Sequence, residues 1–253
     1  MLKNIFNLKQ YETKIIHSKL VAGFKYKYPR LFRFIIERFT LKKFNGLPLT
    51  FFSIAVFFNL LLLFDFTQDV INSKEFIVVD NFISELLYSI RYEPLSKLFY
   101  LFSKLCDIKT VAVLGAMTGI YALLKKNYNL LIGVLISILG SAFTIYLGKY
   151  VFKINRPTEF SYYLENYFSF PSGHATIAVS FYGLLFYLFI RNSSSLKKKA
   201  QFTLSAFIFI FLIGLSRLYL GVHYFSDVIA GYILGFLWLL VSVCTIEWMK
   251  YKN

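Results

Sequence analysis

Six largely apolar runs, at about 47–66, 107–124, 128–152, 172–190, 200–220 and 223–249, occupy most of the chain after residue 46. Each is close to the roughly 20 residues that a helix needs to cross a bilayer core. A soluble domain of 253 residues can bury a good core, but not this many runs of spanning length. The fold class expected is therefore all-α: a polytopic membrane protein with six transmembrane helices. Composition points the same way, with 57% of residues hydrophobic and only 16% charged, where a globular domain carries about 25% charged residues.

The first 46 residues are mixed and strongly basic, unlike the short basic head and apolar core of a signal peptide, so the first apolar run is expected to be retained. A net charge of +15 could suggest nucleic acid, but its distribution suggests a membrane instead. With the N-terminus in the cytoplasm and six alternating spans, segments 1–46, 125–127, 191–199 and 250–253 face inward and hold 19 of the 28 Lys and Arg. Only Glu12, Glu37 and Glu247 among the acidic residues fall on that side. The positive-inside rule selects this orientation, with both termini cytoplasmic. The basic excess then meets anionic lipids at the cytoplasmic face, and no nucleic-acid partner is expected. Cys106 and Cys244 fall near opposite faces, which indicates neither a disulfide nor a metal site.

Two stretches outside the spans carry helical patterns. Residues 29–44 mix Phe and Ile with cations after a proline, which suits an amphipathic helix on the inner leaflet. Residues 76–91 place Val79, Phe82, Ile83, Leu86, Leu87 and Ile90 at helical spacing and are expected to lie on the outer surface. The organisation expected is a basic cytoplasmic or interfacial segment, 1–46, followed by a six-helix domain, 47–253. His17, in the basic segment, is expected at the surface.

Polar residues that intrude on the spans gather at one end. The third span finishes "GKYVFKINRP", where Lys149 and Arg156 are seven residues, about two helical turns, apart and so share a face. Pro157 disfavours helix at Arg156. The fourth span opens with Pro171-Ser172-Gly173-His174; Ser172 is a natural N-cap, and the free amides of Ser172, Gly173 and His174 form an anion site. The fifth ends "SRLYLG", with Arg217 about a turn below the surface. The sixth begins "HYFSD", in which His223 and Asp227 are i and i+4 and face the same way. Loop charges alone put all of these on the extracytoplasmic face. Charged groups at membrane depth are costly, so a functional role is expected.

This inventory fits phosphoryl transfer. Lys149, Arg156 and Arg217 can neutralise the equatorial oxygens of a transferring phosphoryl group. His174 and His223 can supply a nucleophile and an acid–base partner, and Asp227 can orient His223 and stabilise its cation. No group of carboxylates stands near them to hold a metal, so the cations are expected to do the work that Mg²⁺ does elsewhere. Neither metal nor cofactor is expected.

Lys149-x6-Arg156-Pro157, Pro171-Ser172-Gly173-His174 and Ser216-Arg217-x5-His223-x3-Asp227 together resemble the three-part signature of the type 2 phosphatidic acid phosphatases, a family of integral-membrane lipid phosphatases whose superfamily includes the vanadium haloperoxidases. The resemblance implies that His223 attacks phosphorus to give a phosphohistidine, that Asp227 supports it, and that His174 protonates the leaving oxygen. It implies that Lys149, Arg156, Ser172, Gly173 and Arg217 hold the phosphate. The enzyme implied is a metal-independent hydrolase of lipid phosphates or diphosphates in a bacterial inner or plasma membrane. Its candidate substrates are undecaprenyl pyrophosphate, phosphatidylglycerophosphate and phosphatidic acid, with the phosphates of lipid A as the alternative. Specificity is expected in 67–106 and 158–170.

Two other classes also accommodate buried charge. A transporter would carry it near the bilayer midplane and in matched broken helices, whereas here it gathers at one rim. A scaffold protein that had lost its chemistry would not need an intact triad. Some single residues have plainer readings. Lys149 and Lys153 can snorkel to the interface, Ser216 can bond its own helix, and Tyr219 and Tyr224 suit the interfacial belt and packing.

Overall fold

The computed structural model describes residues 25–38, 44 and 46–252. Glu12, His17 and residues 39–43 of the basic stretch lie outside the described residues. Among the described residues there is no strand. The chain separates into two compact units, Met1–Ser53 and Ile54–Asn253. In the first, α1 (Pro29–Arg38) starts at its proline, whose fixed φ suits a first helical position. Thr50 Oγ1 donates to the Arg38 carbonyl at 3.1 Å.

The long helix α2 (Leu47–Asn72) carries the chain into the second unit. It runs past the expected end near 66 because Asp65, Gln68 and Asp69 end the apolar signal without ending the helix. Ser73 then caps α3 (Lys74–Ser89), accepting from the Glu75 amide at 3.2 Å. This is the helix expected at 76–91, but it packs against the last two helices, described below.

Residues 93–106 correct the expected layout. They form α4 (Glu93–Ser103) and a tight turn, Lys104–Cys106, not an outer loop. Glu93, Lys97 and Lys104 mask the apolar pattern; Lys97 and Glu93 pair along the exposed side at 3.4 Å. With α5 (Ile108–Leu124), α4 makes a bent pair, 44° at Asp107, that is long and apolar enough to cross a membrane as one broken span. The other spans of that kind are α2, α6 (Tyr128–Phe152), α7 (Gly173–Asn192), α8 (Leu196–Tyr219) and α9 (Phe225–Lys252).

Helix α9 is the hub, packing against α3, α6 and α7. Its approach to α7 needs a missing side chain: a Cβ on Gly231 would stand 2.7 Å from the Ser172 carbonyl oxygen. Both α6 and α7 widen by a π turn, at Ile136–Gly140 and Ala178–Tyr182. Beside those turns Ser141 donates to Ser180 at 2.9 Å, so two hydroxyls in the apolar interior satisfy each other. At the far end Arg191 and Tyr187 grip Glu247 at 2.9 and 2.7 Å, tying α7 to α9. Cys106 and Cys244 are free.

Candidate active site

The site forms where α6, α7, α8 and α9 end or begin together, closed by the 153–172 loop. Helix α6 stops at Phe152, with Lys153 in the left-handed region at φ 50°. Arg156 therefore lies four residues beyond the helix, on the loop, and does not share a helical face with Lys149 as expected. The loop brings the two back together. Lys149 Nζ donates to the Phe168 carbonyl at 2.7 Å, and Arg156 Nε donates to the Tyr167 carbonyl at 2.6 Å.

The turn after α8 is set by Gly221, at φ 63°, where a Cβ would stand 2.0 Å from the Phe160 carbonyl oxygen. Only a glycine takes that backbone without strain and clears the loop. The turn delivers His223 just ahead of α9. Across it Arg91 donates to the Tyr219 carbonyl at 2.9 Å, and the Tyr219 hydroxyl accepts from the Tyr92 amide at 2.7 Å. Tyr219 is thus a buried latch, not part of an interfacial belt. Ser216 bonds only its own helix, donating to Ile213 at 2.6 Å.

The start of α9 is capped from another helix. The Asp80 carboxylate on α3 accepts from the Ser226 amide at 2.9 Å and from its hydroxyl at 2.6 Å, opposite the positive end of the helix dipole. This fixes the first turn, which carries Asp227. Asp227 Oδ2 accepts from the Tyr224 amide at 2.8 Å and from the Ser169 hydroxyl, and lies 3.3 Å from His223 Nδ1. On the other side of the imidazole, Arg156 Nη1 stands 3.2 Å from His223 Nε2. A guanidinium can only donate, so Nε2 carries the lone pair and the ring proton sits on Nδ1, toward Asp227. Burial first, then the charges of Arg156, Arg217 and Lys149, hold His223 well below the ordinary histidine pKa, so it is neutral at pH 7. These features define a buried, neutral imidazole whose lone pair faces the Arg156 guanidinium.

Arg217, fully buried at the end of α8, donates to Ser103 at 2.7 Å and to the Tyr163 hydroxyl at 2.5 Å. It also pairs with Glu165, which reaches Arg156 Nη2 through its other oxygen at 2.6 Å. His174, in the first turn of α7, has Nε2 3.0 Å from Asp107 Oδ1 at the bend between α4 and α5. Ser172 and Gly173 open α7 beside them, but not with the amides expected. The Ser172 amide donates to the Asp227 carbonyl at 3.0 Å, so only Gly173 and His174 retain the orphan N–H groups of a helix start. The Ser172 hydroxyl makes no cap; it is buried without a partner.

All eight residues named from the motifs therefore stand at one end of the bundle. Glu165, Asp107, Ser169, Tyr163 and Ser103 join them from outside the motifs. The one signal that could have exposed Glu165 is charge balance, since three clustered cations at a membrane rim call for a counter-charge from the loop between them.

The family model described as the PAP2 superfamily matches residues 130–251, from α6 into the last turn of α9. Phosphatidylglycerophosphatase B of Bacillus subtilis (strain 168) is 40% identical over 74 residues, which is 29% of this chain; the match spans 36%, about a third, of the relative's length. The fold matches the crystal structure of a transmembrane PAP2 type phosphatidylglycerolphosphate phosphatase from Bacillus subtilis, with a TM-score of 0.69 at 24% identity, covering 78% of this chain and 96% of that one. Aquifex aeolicus LpxE is a more distant likeness, with a TM-score of 0.51 at 22% identity, over 65% of this chain and 94% of that one. The apolar helices and these relatives make the chain an integral membrane protein.

Proposed function

We propose that this protein is a lipid phosphatase that removes a phosphate from a lipid monophosphate or diphosphate through a phosphohistidine on His223. The observation that carries the reading is the aim of that imidazole, with its proton held toward Asp227 and its lone pair facing the arginines. Nε2 attacks phosphorus, the bond to the leaving lipid oxygen breaks, and His174 gives that oxygen its proton. Asp227 stabilises the imidazolium that forms. Water, deprotonated by His174, then attacks the phosphohistidine and releases inorganic phosphate. Lys149, Arg156 and Arg217, with the Gly173 and His174 amides, neutralise the phosphoryl oxygens. In this reading the cations do that work without a metal.

Phosphatidylglycerophosphate is the first candidate substrate, supported by the likeness to phosphatidylglycerophosphatase B. Undecaprenyl pyrophosphate and phosphatidic acid follow, with lipid A phosphates as the alternative. The test is phosphate release from a panel of these lipids in detergent with EDTA present. Release should survive the chelator and be fastest from phosphatidylglycerophosphate. Complete loss that Mg²⁺ restores would overturn the mechanism.

The site is proposed to face outward in a bacterial inner or plasma membrane, with both termini in the cytoplasm. The distribution of basic residues supports that orientation. Exposed Asn155 on the site loop and exposed Ser194 between α7 and α8 give the test, replaced singly by Cys in a background without Cys106 and Cys244. An impermeant thiol reagent on intact cells should label position 155 and spare 194. The opposite result would put the site in the cytoplasm.

A further inference from the structure

Glu165 sits on the two arginines that a substrate phosphate would need. One carboxylate oxygen meets Arg156 Nη2 at 2.6 Å and the other meets Arg217 Nη2. A guanidinium has five N–H donors, and most of the others are committed. Arg156 spends three on the Tyr167 and Val222 carbonyls and on His223, and Arg217 spends both of its Nη1 hydrogens on Ser103 and Tyr163. The edge common to both arginines is the one Glu165 bridges. Arg217 Nε is buried without a partner, but a phosphate that bridges both arginines meets the edge that Glu165 holds. The arginine side chains are 6% and 0% exposed, whereas that of Glu165 is 24% exposed, so the cations are fixed and the carboxylate lies on the side from which it can leave. Burial works against the charged carboxylate, but Arg217 and Arg156 outweigh it and hold Glu165 below the ordinary glutamate pKa.

Charge decides what can displace it. A phosphate monoester carries a charge of about −1.5 to −2 at pH 7, and a diester carries one negative charge. A monoester brings more charge to the arginines than the carboxylate it displaces. A diester brings no more, and it must also free Glu165 from two charge-assisted hydrogen bonds. The bilayer edge is crowded with anionic diester headgroups, which gather wherever cations face them. Lys149, Arg156 and Arg217 without a counter-ion would hold them there. We infer that Glu165 is a specificity-determining residue: a resident anion that bars phosphodiester headgroups from the site and yields to phosphomonoesters. This rests on the phosphatase reading above.

The experiment measures inhibition of phosphatidic acid hydrolysis in detergent micelles by added phosphatidylglycerol, a monoanionic diester. It also measures binding of inorganic phosphate by calorimetry, which needs no turnover. The wild-type protein should be little affected by the diester. Glu165→Gln should be inhibited at concentrations at least about tenfold lower and should bind inorganic phosphate at least about tenfold more tightly, the scale set by close charge pairs at binding sites. Glu165→Asp keeps the charge but is too short to bridge both arginines, and should fall between; it also reads the effect if Glu165→Gln does not fold. Equal diester sensitivity in wild type and variants, or phosphate binding that weakens when Glu165 is neutralised, overturns the inference. Failure of the wild type to release phosphate from any monoester overturns the phosphatase reading instead, and the binding measurement still decides the role of Glu165.

Discussion

Replacing His223 by alanine is expected to abolish turnover and phosphoenzyme formation together, on every substrate. Among the described residues, His223 is the imidazole whose lone pair faces an arginine while a carboxylate holds its proton. His174→Ala should behave differently. General acid catalysis typically contributes about 10²–10⁴-fold, and lipid alkoxides need that proton to leave. A good leaving group needs it less, so His174→Ala should retain a larger fraction of wild-type activity on p-nitrophenyl phosphate than on a lipid phosphate. Asp227→Asn should fall between the two histidine variants, because the nucleophile remains but is badly oriented and its cation is less stabilised. Steady-state rates on both substrates, with acid-quenched trapping of the phosphoenzyme, make the comparison. A trapped phosphoenzyme in His223→Ala, or equal losses on both substrates in His174→Ala, would show that the two roles are assigned wrongly.

Arg217→Met should produce the next largest effect, in activity and stability at once. Losing one preorganised donor to a developing charge costs on the order of 10²–10³ in rate, so kcat/KM should fall by about that factor. Breaking a buried ion pair by removing one partner costs about 3–5 kcal/mol. The lower end is expected here, because Glu165 is partly exposed and keeps Arg156. Adding Glu165→Gln should recover most of the lost stability, by removing the carboxylate left half-paired, while leaving kcat/KM low. Thermal unfolding in detergent reads the first quantity and phosphate release the second. An Arg217→Met protein as stable as wild type would mean that the pair with Glu165 holds nothing together.

The helices were legible where one physical signal was undiluted. Spans α6 to α9 announce themselves through long apolar runs, and the motif residues through residue type, spacing and the end of the span they occupy. Helix α4 was lost because Glu93, Lys97 and Lys104 punctuate a short apolar stretch, so neither length nor periodicity singled it out. The helix-based placement of Lys149 and Arg156 brought the two together by the wrong geometry, since α6 ends at Phe152 and the loop completes the approach. The partners of the motif residues were illegible for a different reason. Glu165 lies 52 residues from Arg217, Asp107 lies 67 from His174, and Ser103 lies 114 from Arg217. Contacts at such separations leave no local pattern; they arise from the order in which the helices stack.

The separation between Glu165 and Arg217 also matters while the chain is being made. An arginine delivered alone to the middle of a membrane helix is penalised by about 2.5–3.5 kcal/mol during insertion. Arg217 sits in the last turn of α8, where the penalty is smaller, and its counter-charge lies earlier in the chain. The loop carrying Tyr163 and Glu165 leaves the ribosome first and waits on the side of the membrane that the end of α8 must reach. Arg217 therefore arrives at a docking place already furnished with an anion and two hydroxyls, from Ser103 and Tyr163. His223 and Asp227 follow with α9, so a nascent chain stopped before α9 has an anchored arginine and lacks the proposed nucleophile. On the proposed mechanism, hydrolytic competence would come only with α9.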